Sequence, residues 1–156
     1  MADPNSWQSA VADLDRRLQR LERTPPPVAA VDLWAVEALH DRLGADGALI
    51  AGSSHGAQWQ VALTDEAMSA QDWSERAGTL AALANPVRLH LLQLVHAGVT
   101  TAAELADDPQ IGTTGQLHHH LRALAAGGWL HTVGRGRYEI PPARVVPLLC
   151  LLLTLQ

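Results

Sequence analysis

Residues 113–140 read as a helix that runs directly into a tight hairpin, and this order constrains the fold more than any other feature of the chain. The helix begins with a capping-box pattern, in which Thr113 precedes Gln116 by three residues. It ends at Gly127-Gly128, where a left-handed backbone costs little. The hairpin turn that follows is Gly-Arg-Gly at 134–136, a sequence suited to a three-residue connection.

The predicted helix has two different faces. With about 100° of rotation per residue, Leu117, Leu121 and Leu124 share one stripe, with His120 at its edge. The opposite face carries small, polar and basic residues: Gly115, His118, His119 and Arg122. One face therefore suits a protein core and the other suits a partner.

The stretches 129–133 and 137–140 are rich in aromatic and β-branched residues and are predicted to be strands. They form a short hairpin that carries Arg135 and Arg137 near its tip. An arginine at a thin, glycine-flanked tip can enter a DNA minor groove or bind phosphate, since its guanidinium is always charged and offers five donors.

Start and stop signals organise the chain before this segment. Asn85-Pro86 is an N-cap followed by proline at the first helical position, and it opens a helix that extends to Gly98. Thr101 with Glu104 is a second capping box, for a short helix ending near Asp107. Further predicted elements are a helix from Asp72 to about Ala84, a turn over 108–112 that contains Pro109, and an apolar helix from Pro142 to Leu155.

Four stretches resemble the ArsR/SmtB family of winged-helix transcriptional repressors, over about residues 72–155: ALANPVRLHLLQLV, TTAAELADD, TTGQLHHHLRALAAGGWL and GRGRYEI. The resemblance implies a homodimeric repressor that leaves DNA when an effector binds. The chain departs from the family in the turn, where Pro109-Gln110 replaces an apolar-glycine pair and adds a residue. The DNA-binding residues that the resemblance implies, with Thr113 at the start of the helix, are Thr113, Thr114, Gln116, His118, His119 and Arg122, and on the wing Arg135 and Arg137.

The family's metal-ligand patterns are missing from this sequence. Metal-sensing members use a Cys-x-Cys pair on the first helix of the motif, or carboxylates and histidines on the terminal helix. Here the first position reads Glu-Leu-Ala-Asp-Asp from Glu104, and the second reads VVPLLCLLLTLQ. Since the triplet 118–120 is spread around its helix, its imidazoles cannot converge on one ion within a chain. We therefore expect neither a metal nor another cofactor.

The terminal apolar segment is predicted to be buried. It is too short to span a membrane, which takes about 20 apolar residues, and a helix that is apolar all round is expected to join a dimer core. Cys150, the single cysteine, allows no intrachain disulfide and is compatible with a reducing cytosol; we expect it to be packed, with an intersubunit redox switch as the alternative. The expected dimerisation residues are Val145, Val146, Leu148, Leu149 and Leu152.

The net charge of -5 divides unevenly along the chain. Residues 1–111 carry 7 Arg against 15 acids, a balance of -8, whereas residues 112–156 carry 4 Arg against 1 acid, a balance of +3. The basic end is the end that contains the motif, so phosphate attraction should be concentrated there.

The first 70 residues form an extension to the predicted motif. Residues 1–24 show a heptad pattern that would pair with its twin or pack on the dimer core. After three prolines, Val31 to Leu43 is predicted as a helix, and Ala48 to Ala51 with Gln58 to Leu63 as a hairpin around Ser-Ser-His-Gly. Three residues of this region are candidates for an effector pocket, with ordinary core packing as the alternative for the tryptophans: Trp34, His55 and Trp59.

The sequence predicts a mainly α fold with small β, namely a winged helix-turn-helix with an N-terminal helical and β-hairpin extension. The predicted parts are a heptad helix (1–24), a helix-plus-hairpin extension (25–70) and a DNA-binding domain with a dimerisation helix (71–156). The expected function is cytoplasmic, nucleoid-associated repression by a homodimer bound to an imperfectly palindromic operator and released by a non-metal, small-molecule effector. The alternative is a winged-helix protein-interaction adaptor. No enzyme is expected, because no phosphate loop or catalytic constellation is visible.

Overall fold

The computed structural model describes residues 33–134 and 136–155, and the architecture is mainly α with small β. The heptad pattern over residues 1–24 and the wing residue Arg135 lie outside the described residues. The helices are α1 (Trp34–Leu43), α2 (Asp65–Ser69), α3 (Ala77–Leu83), α4 (Pro86–His96), α5 (Ala102–Ala106), α6 (Thr114–Ala126) and α7 (Pro142–Leu153). The strands are β1 (Gly47–Ser54), β2 (Ala57–Thr64), β3 (His131–Gly134) and β4 (Arg137–Glu139), which form two separate antiparallel hairpins.

Side-chain caps start three helices where the sequence predicts them. Asn85 accepts a hydrogen bond from the backbone N–H of Arg88 at 3.2 Å, and Pro86 occupies the first position of α4. At the start of α5, Thr101 accepts from the backbone N–H of Glu104 at 3.2 Å, and the Glu104 carboxylate accepts from the backbone N–H of Thr101 at 3.1 Å. These bonds satisfy N–H groups that have no partner inside the helix.

The end of α6 is a Schellman motif. The N–H of Trp129 donates to the carbonyl of Leu124 at 2.9 Å, and the N–H of Gly128 donates to the carbonyl of Ala125 at 3.0 Å. Gly128 has a φ of 71°, in the left-handed region that glycine adopts without steric cost. The two glycines therefore end the helix as predicted and turn the chain into the next strand.

The first hairpin is longer than the sequence predicts. Its strands pair from Gly47 with Thr64 up to Ser54 with Ala57, so only His55 and Gly56 remain in the turn. Their φ angles are 48° and 79°, and positive φ at both central positions is what a type I′ turn requires. His55 is the one non-glycine residue with positive φ among those described, which is why sequence rules placed a looser turn here.

The core forms where α4, α5 and α6 present their apolar stripes to one another and to the start of the second hairpin. Trp129, predicted to be in a strand, precedes β3 and is only 3% exposed. Its indole N–H donates to the carbonyl of Thr79 at 2.8 Å, which satisfies the polar atom of a buried aromatic ring. The largest fully buried side chains are Leu91, Leu92, Leu105, Leu117, Leu121 and Leu124.

The first hairpin packs on α7. A Cβ added to Gly52 of β1 would lie 2.9 Å from Cγ1 of Val146, closer than two carbon atoms normally approach, so glycine permits this contact. Trp59 pairs with Gly52 across the hairpin and is half-buried. The hairpin and α7 accordingly belong to the same compact unit, residues 35–156.

Two helices differ from their predicted bounds. The helix predicted from Asp72 begins as a 3-10 turn, Trp73–Arg76, and becomes α-helical only at Ala77. Asp72 caps the turn by accepting from the backbone N–H of Ser74 at 2.9 Å. Hydrogen bonding by the Ser74 side chain first, and then by its backbone N–H, holds the pKa of the Asp72 carboxyl below the ordinary value. The terminal helix ends at Leu153 rather than at Leu155.

Candidate nucleic-acid interface

The turn between α5 and α6 is fixed by Asp108. One carboxylate oxygen of Asp108 accepts from the backbone N–H of Gln110 at 2.8 Å, and the other lies 3.0 Å from Nε2 of His90 on α4. The Gln110 N–H first, and then the hydrogen bond with His90, lower the pKa of the Asp108 carboxyl. Ile111 then enters the core at 2% exposure. The turn over residues 108–112 is thus tied both to α4 and to the core.

The capping box predicted at the start of α6 is present. Oε1 of Gln116 accepts from the backbone N–H of Thr113 at 2.8 Å, and Oγ1 of Thr113 accepts from the backbone N–H of Gln116 at 3.4 Å. A Cβ on Gly112, whose φ is 87°, would collide with the Gln116 amide. Thr113 and Gln116, both assigned to DNA from the sequence, therefore have a structural role that a base contact by Gln116 would interrupt.

The exposed face of α6 carries the four remaining helix residues assigned to base or phosphate contacts, together with Gly115. Nε of Arg122 donates to the carbonyl of His118, one turn earlier, at 3.3 Å, so its guanidinium lies along this face. All five members are exposed: Thr114, Gly115, His118, His119 and Arg122. We call them the α6 polar face. It offers hydroxyl, imidazole and guanidinium groups, which are the donors and acceptors used on base edges and phosphates.

His120 lies at the edge between the polar face and the core. It is half-buried, and its Nδ1 is buried with no hydrogen-bond partner among the described residues. Burial first, and then the neighbouring charges of His119 and Arg88, lower the pKa of this imidazole. The predicted position at the core edge is confirmed, and the environment favours the uncharged ring.

The second hairpin is anchored to the residues just before α5. The N–H of Tyr138 donates to the carbonyl of Thr100 at 2.8 Å, and the N–H of Ala102 donates to the carbonyl of Gly136 at 2.8 Å. Arg137 is exposed, and its guanidinium donates to Oγ1 of Thr100 at 3.3 Å. The region of α5 therefore connects the second hairpin to α6. The helix α5 packs on α6, and Thr101, at the start of α5, pairs with Arg137 of the hairpin.

Glu104 lies at this junction as well. Hydrogen bonds from the Thr101 hydroxyl and backbone, with a smaller contribution from the positive charge of Arg137, lower the pKa of the Glu104 carboxyl. Glu104 thus serves the capping box of α5 and faces the base of the hairpin. Its charge also sets a limit on how much positive potential Arg137 presents.

The five residues expected to form a dimer core have different environments in the chain. Val146 and Leu148 are only 2% and 4% exposed, Val146 because it packs on Gly52 and Leu148 because it belongs to the central core. Val145 is half-buried. Leu149 and Leu152, at 37% and 39% exposure, lie with Leu153 on the accessible side of α7. We call these three residues the α7 leucine face.

The candidate effector residues have different surroundings. Trp34, at the first position of α1, is 67% exposed. Trp59 lines a shallow depression along the first hairpin. His55 instead lines a cavity of about 280 Å³ together with His96, the last residue of α4. The two imidazoles are stacked, with ring centroids 4.5 Å apart and planes inclined by 26°.

Sequence reasoning missed His96 as a neighbour of His55. Helical spacing pairs histidines only within one helix, whereas these two residues come from different elements. The sequence did contain a signal for a special role of His55. A His-Gly pair in a hairpin turn places an imidazole where Asn or Gly is normally preferred.

Among residues 33–134 and 136–155, no group of three or more His, Cys, Asp or Glu side chains is arranged to hold a metal ion. Within the same ranges, no helix has the length and apolar character that crossing a membrane requires. Cys150 is a half-buried free thiol.

Comparisons of the chain with protein-family models, curated proteins and solved structures found no match.

Proposed function

We propose that this chain is a winged helix-turn-helix regulator of transcription, a homodimeric repressor that resembles the ArsR/SmtB family and is released from DNA by a non-metal effector. The observation that supports the proposal is that α5 and the residues before it hold both the α6 polar face and the second hairpin in place. The α6 polar face is exposed along a capped helix, and Arg137 projects from a hairpin whose base is bonded to the residues that open α5.

The dimensions of α6 suit a major groove. The helix has 13 residues, and at a rise of 1.5 Å per residue it is about 20 Å long. A helix fits a major groove of about 12 Å width, where side chains read the pattern of donors and acceptors on base edges. In this proposal the α6 polar face enters the groove, and Arg137 contacts phosphate or the adjacent minor groove.

The distribution of charge supports the same orientation. The +3 balance of residues 112–156 belongs to the part that contains α6 and the second hairpin, whereas residues 1–111 carry -8. Nucleic-acid affinity depends largely on phosphate neutralisation. A basic end and an acidic remainder therefore favour one docking face and oppose coating of DNA by the rest of the chain.

The dimer would use the α7 leucine face. Three leucines that are between 37% and 64% exposed on one short helix are costly in water, and covering them with a second copy removes that cost. A two-fold dimer of this kind would place two α6 helices in successive major grooves about 34 Å apart. The operator is then an imperfect palindrome.

The proposal is tested by arginine replacement. Arg122→Gln should relax base preference, whereas Arg137→Gln should weaken binding to all sequences and reduce the slope of log affinity against log salt by about one for each subunit. Arg42→Gln, which alters an exposed arginine of α1, is the matched control and should bind as the unmodified protein does. The selected DNA sequences and the affinities at several salt concentrations are measured for each variant. Equal binding by all four proteins would contradict the proposal and favour the adaptor function.

A further inference from the structure

We propose that the cavity beside His55 and His96 is a binding site for a small organic cation with an apolar body, and that its occupant controls the second hairpin. The site is inferred from the cavity itself. Its control of DNA affinity, in contrast, depends on the proposed function.

The cavity brings together distant parts of the chain. Its wall combines the tip of the first hairpin, the C-terminal end of α4, the end of β4 and the beginning of α7. The volume of about 280 Å³ is slightly below the range of roughly 300–1,000 Å³ that sites for drug-sized molecules occupy, so the cavity suits a small ligand. Apolar lining from Val95, Ile140 and Val145 surrounds a few polar groups, which is the usual composition of such sites.

The imidazole of His55 is held at the cavity at a conformational cost. His55 has a φ of 48°, a region that a non-glycine residue seldom occupies, and Asn or Gly would form the same type I′ turn more readily. Its ring stacks on His96, which fixes both imidazoles at the cavity wall. Backbone strain that places a side chain beside a cavity is typical of functional sites.

The charges around the cavity favour a cation. Glu139 is the one lining residue with a carboxylate, and neither Arg nor Lys lines the wall. His96, the last residue of α4, also lines the wall, so the negative end of this helix dipole lies at the cavity. The nearest guanidinium along the chain, that of Arg144, lies instead over the ring of Trp129, 5.1 Å from its centroid.

The helix that begins at this cavity is poorly equipped to hold an anion. A helix N-terminus normally binds anions through its free N–H groups. Here Pro141 and Pro142 have no N–H, and the N–H of Arg144 is already bonded to the carbonyl of Pro141 at 2.7 Å. An ammonium group beside Glu139 with its apolar part against Ile140 and Val145 therefore fits the wall better than a carboxylate ligand does.

The cavity is connected to the second hairpin through β4. Glu139 pairs with His131 across the hairpin, and Arg137 of the proposed DNA contact lies in the same short strand. Ile140 follows directly and is 9% exposed, so the strand end is fixed in the core. A cation that draws the Glu139 carboxylate into the cavity acts on the strand that carries Arg137.

A pair of probes that differ in charge tests the site on the full chain without DNA. Binding of 2-phenylethylamine, a cation, and of 3-phenylpropionate, an anion of similar apolar body, is measured by calorimetry. We expect the amine to bind at least about tenfold more tightly, and Glu139→Gln to reduce that ratio to near one. Glu66→Gln, an exposed carboxylate of α2 that does not line the cavity, is the matched control and should preserve the ratio. His55→Ala should weaken the binding of the amine.

Two results would overturn the site: equal affinity for the two probes, or a preference for the amine that persists undiminished in Glu139→Gln. Circular dichroism of Glu139→Gln checks that this variant is folded, which is the expected result because Glu139 is exposed.

The coupling is tested separately with operator DNA. A saturating amine should change the DNA affinity of the unmodified protein at least about fivefold, and by reciprocity DNA should change the amine affinity by the same factor. Glu139→Gln should remove the effect. Amine binding that leaves DNA affinity unchanged would overturn the control of the hairpin. Failure to bind DNA at all would contradict the proposed function, while the probe measurements still decide the site.

Discussion

The imidazole of His55, at the tip of the first hairpin, stacks on the imidazole of His96, the last residue of α4, with ring centroids 4.5 Å apart. This contact joins the hairpin that precedes the proposed DNA-binding part to a helix of the central core. Because the turn gives His55 a φ of 48°, a favourable contact of its ring would offset part of that local backbone cost.

The stack should be measurable as a coupling energy. His55→Asn keeps a residue that tolerates the turn, and His96→Asn removes the partner ring. A double-mutant cycle in urea unfolding should give a coupling of about 0.5–1 kcal/mol, near the lower part of the range for aromatic pairs, since His55 is exposed. Strict additivity of the two single changes would contradict an energetic role for the stack.

The capping box of α6 should contribute to stability. Thr113→Ala removes the hydroxyl that accepts from the Gln116 N–H and should lower the free energy of unfolding by about 1 kcal/mol. Thr114→Ala is a matched control, because Thr114 is exposed in the first position of the helix and is not the N-cap. Chemical denaturation measures both. If Thr114→Ala lowers the free energy of unfolding as much as Thr113→Ala does, the capping box is not the source of that stability.

His120 should make the protein less stable in mild acid. Its folded-state pKa is lowered by burial, so the unfolded chain binds a proton more readily than the folded chain does. The stability associated with the neutral ring is complete above its ordinary pKa of 6.5 and decreases as the pH falls from there through the lower, folded-state pKa. The free energy of unfolding, measured at pH 7.5 and at pH 5.5, should therefore decrease more in the unmodified protein than in His120→Gln or His120→Leu. Equal decreases in all three proteins would show that His120 does not cause the loss of stability in acid.

The α7 leucine face should determine the oligomeric state. Leu152→Glu introduces a charge at a residue that is 39% exposed on this face, and it should weaken dimerisation at least tenfold, or by about 1.4 kcal/mol. Leu80→Glu changes a leucine of α3 that is 50% exposed and should leave the dimer intact. Sedimentation equilibrium distinguishes the two. A monomeric unmodified protein at micromolar concentration would contradict the dimer.

The sequence predicted those features that depend on neighbouring residues. The caps at Asn85, Thr101 and Thr113 and the glycine end of α6 are local patterns, because each cap residue and its hydrogen-bond partner lie within one turn of helix. The apolar stripe of Leu117, Leu121 and Leu124 was predictable for the same reason, since helical spacing alone places those residues on one face.

The sequence did not predict features that depend on packing between elements. The burial of Val146 follows from Gly52 of a hairpin far away in the chain, and helical periodicity in α7 contains no information about that contact. The cavity beside His55 and His96 likewise requires both the short turn and the placement of the hairpin tip beside α4. Candidate sites on one element can be read from a sequence, whereas sites between elements follow from the fold.

In the proposed function, the α6 polar face and the second hairpin bind a specific DNA sequence. The most direct measurement is fluorescence anisotropy of the purified protein with the DNA upstream of its own coding sequence, and with scrambled DNA of equal length, across a salt series. Binding to the upstream DNA should be at least about a thousandfold tighter than to the scrambled DNA, with affinity that falls steeply as salt rises. Equally weak binding to both DNAs would contradict the proposed DNA contact.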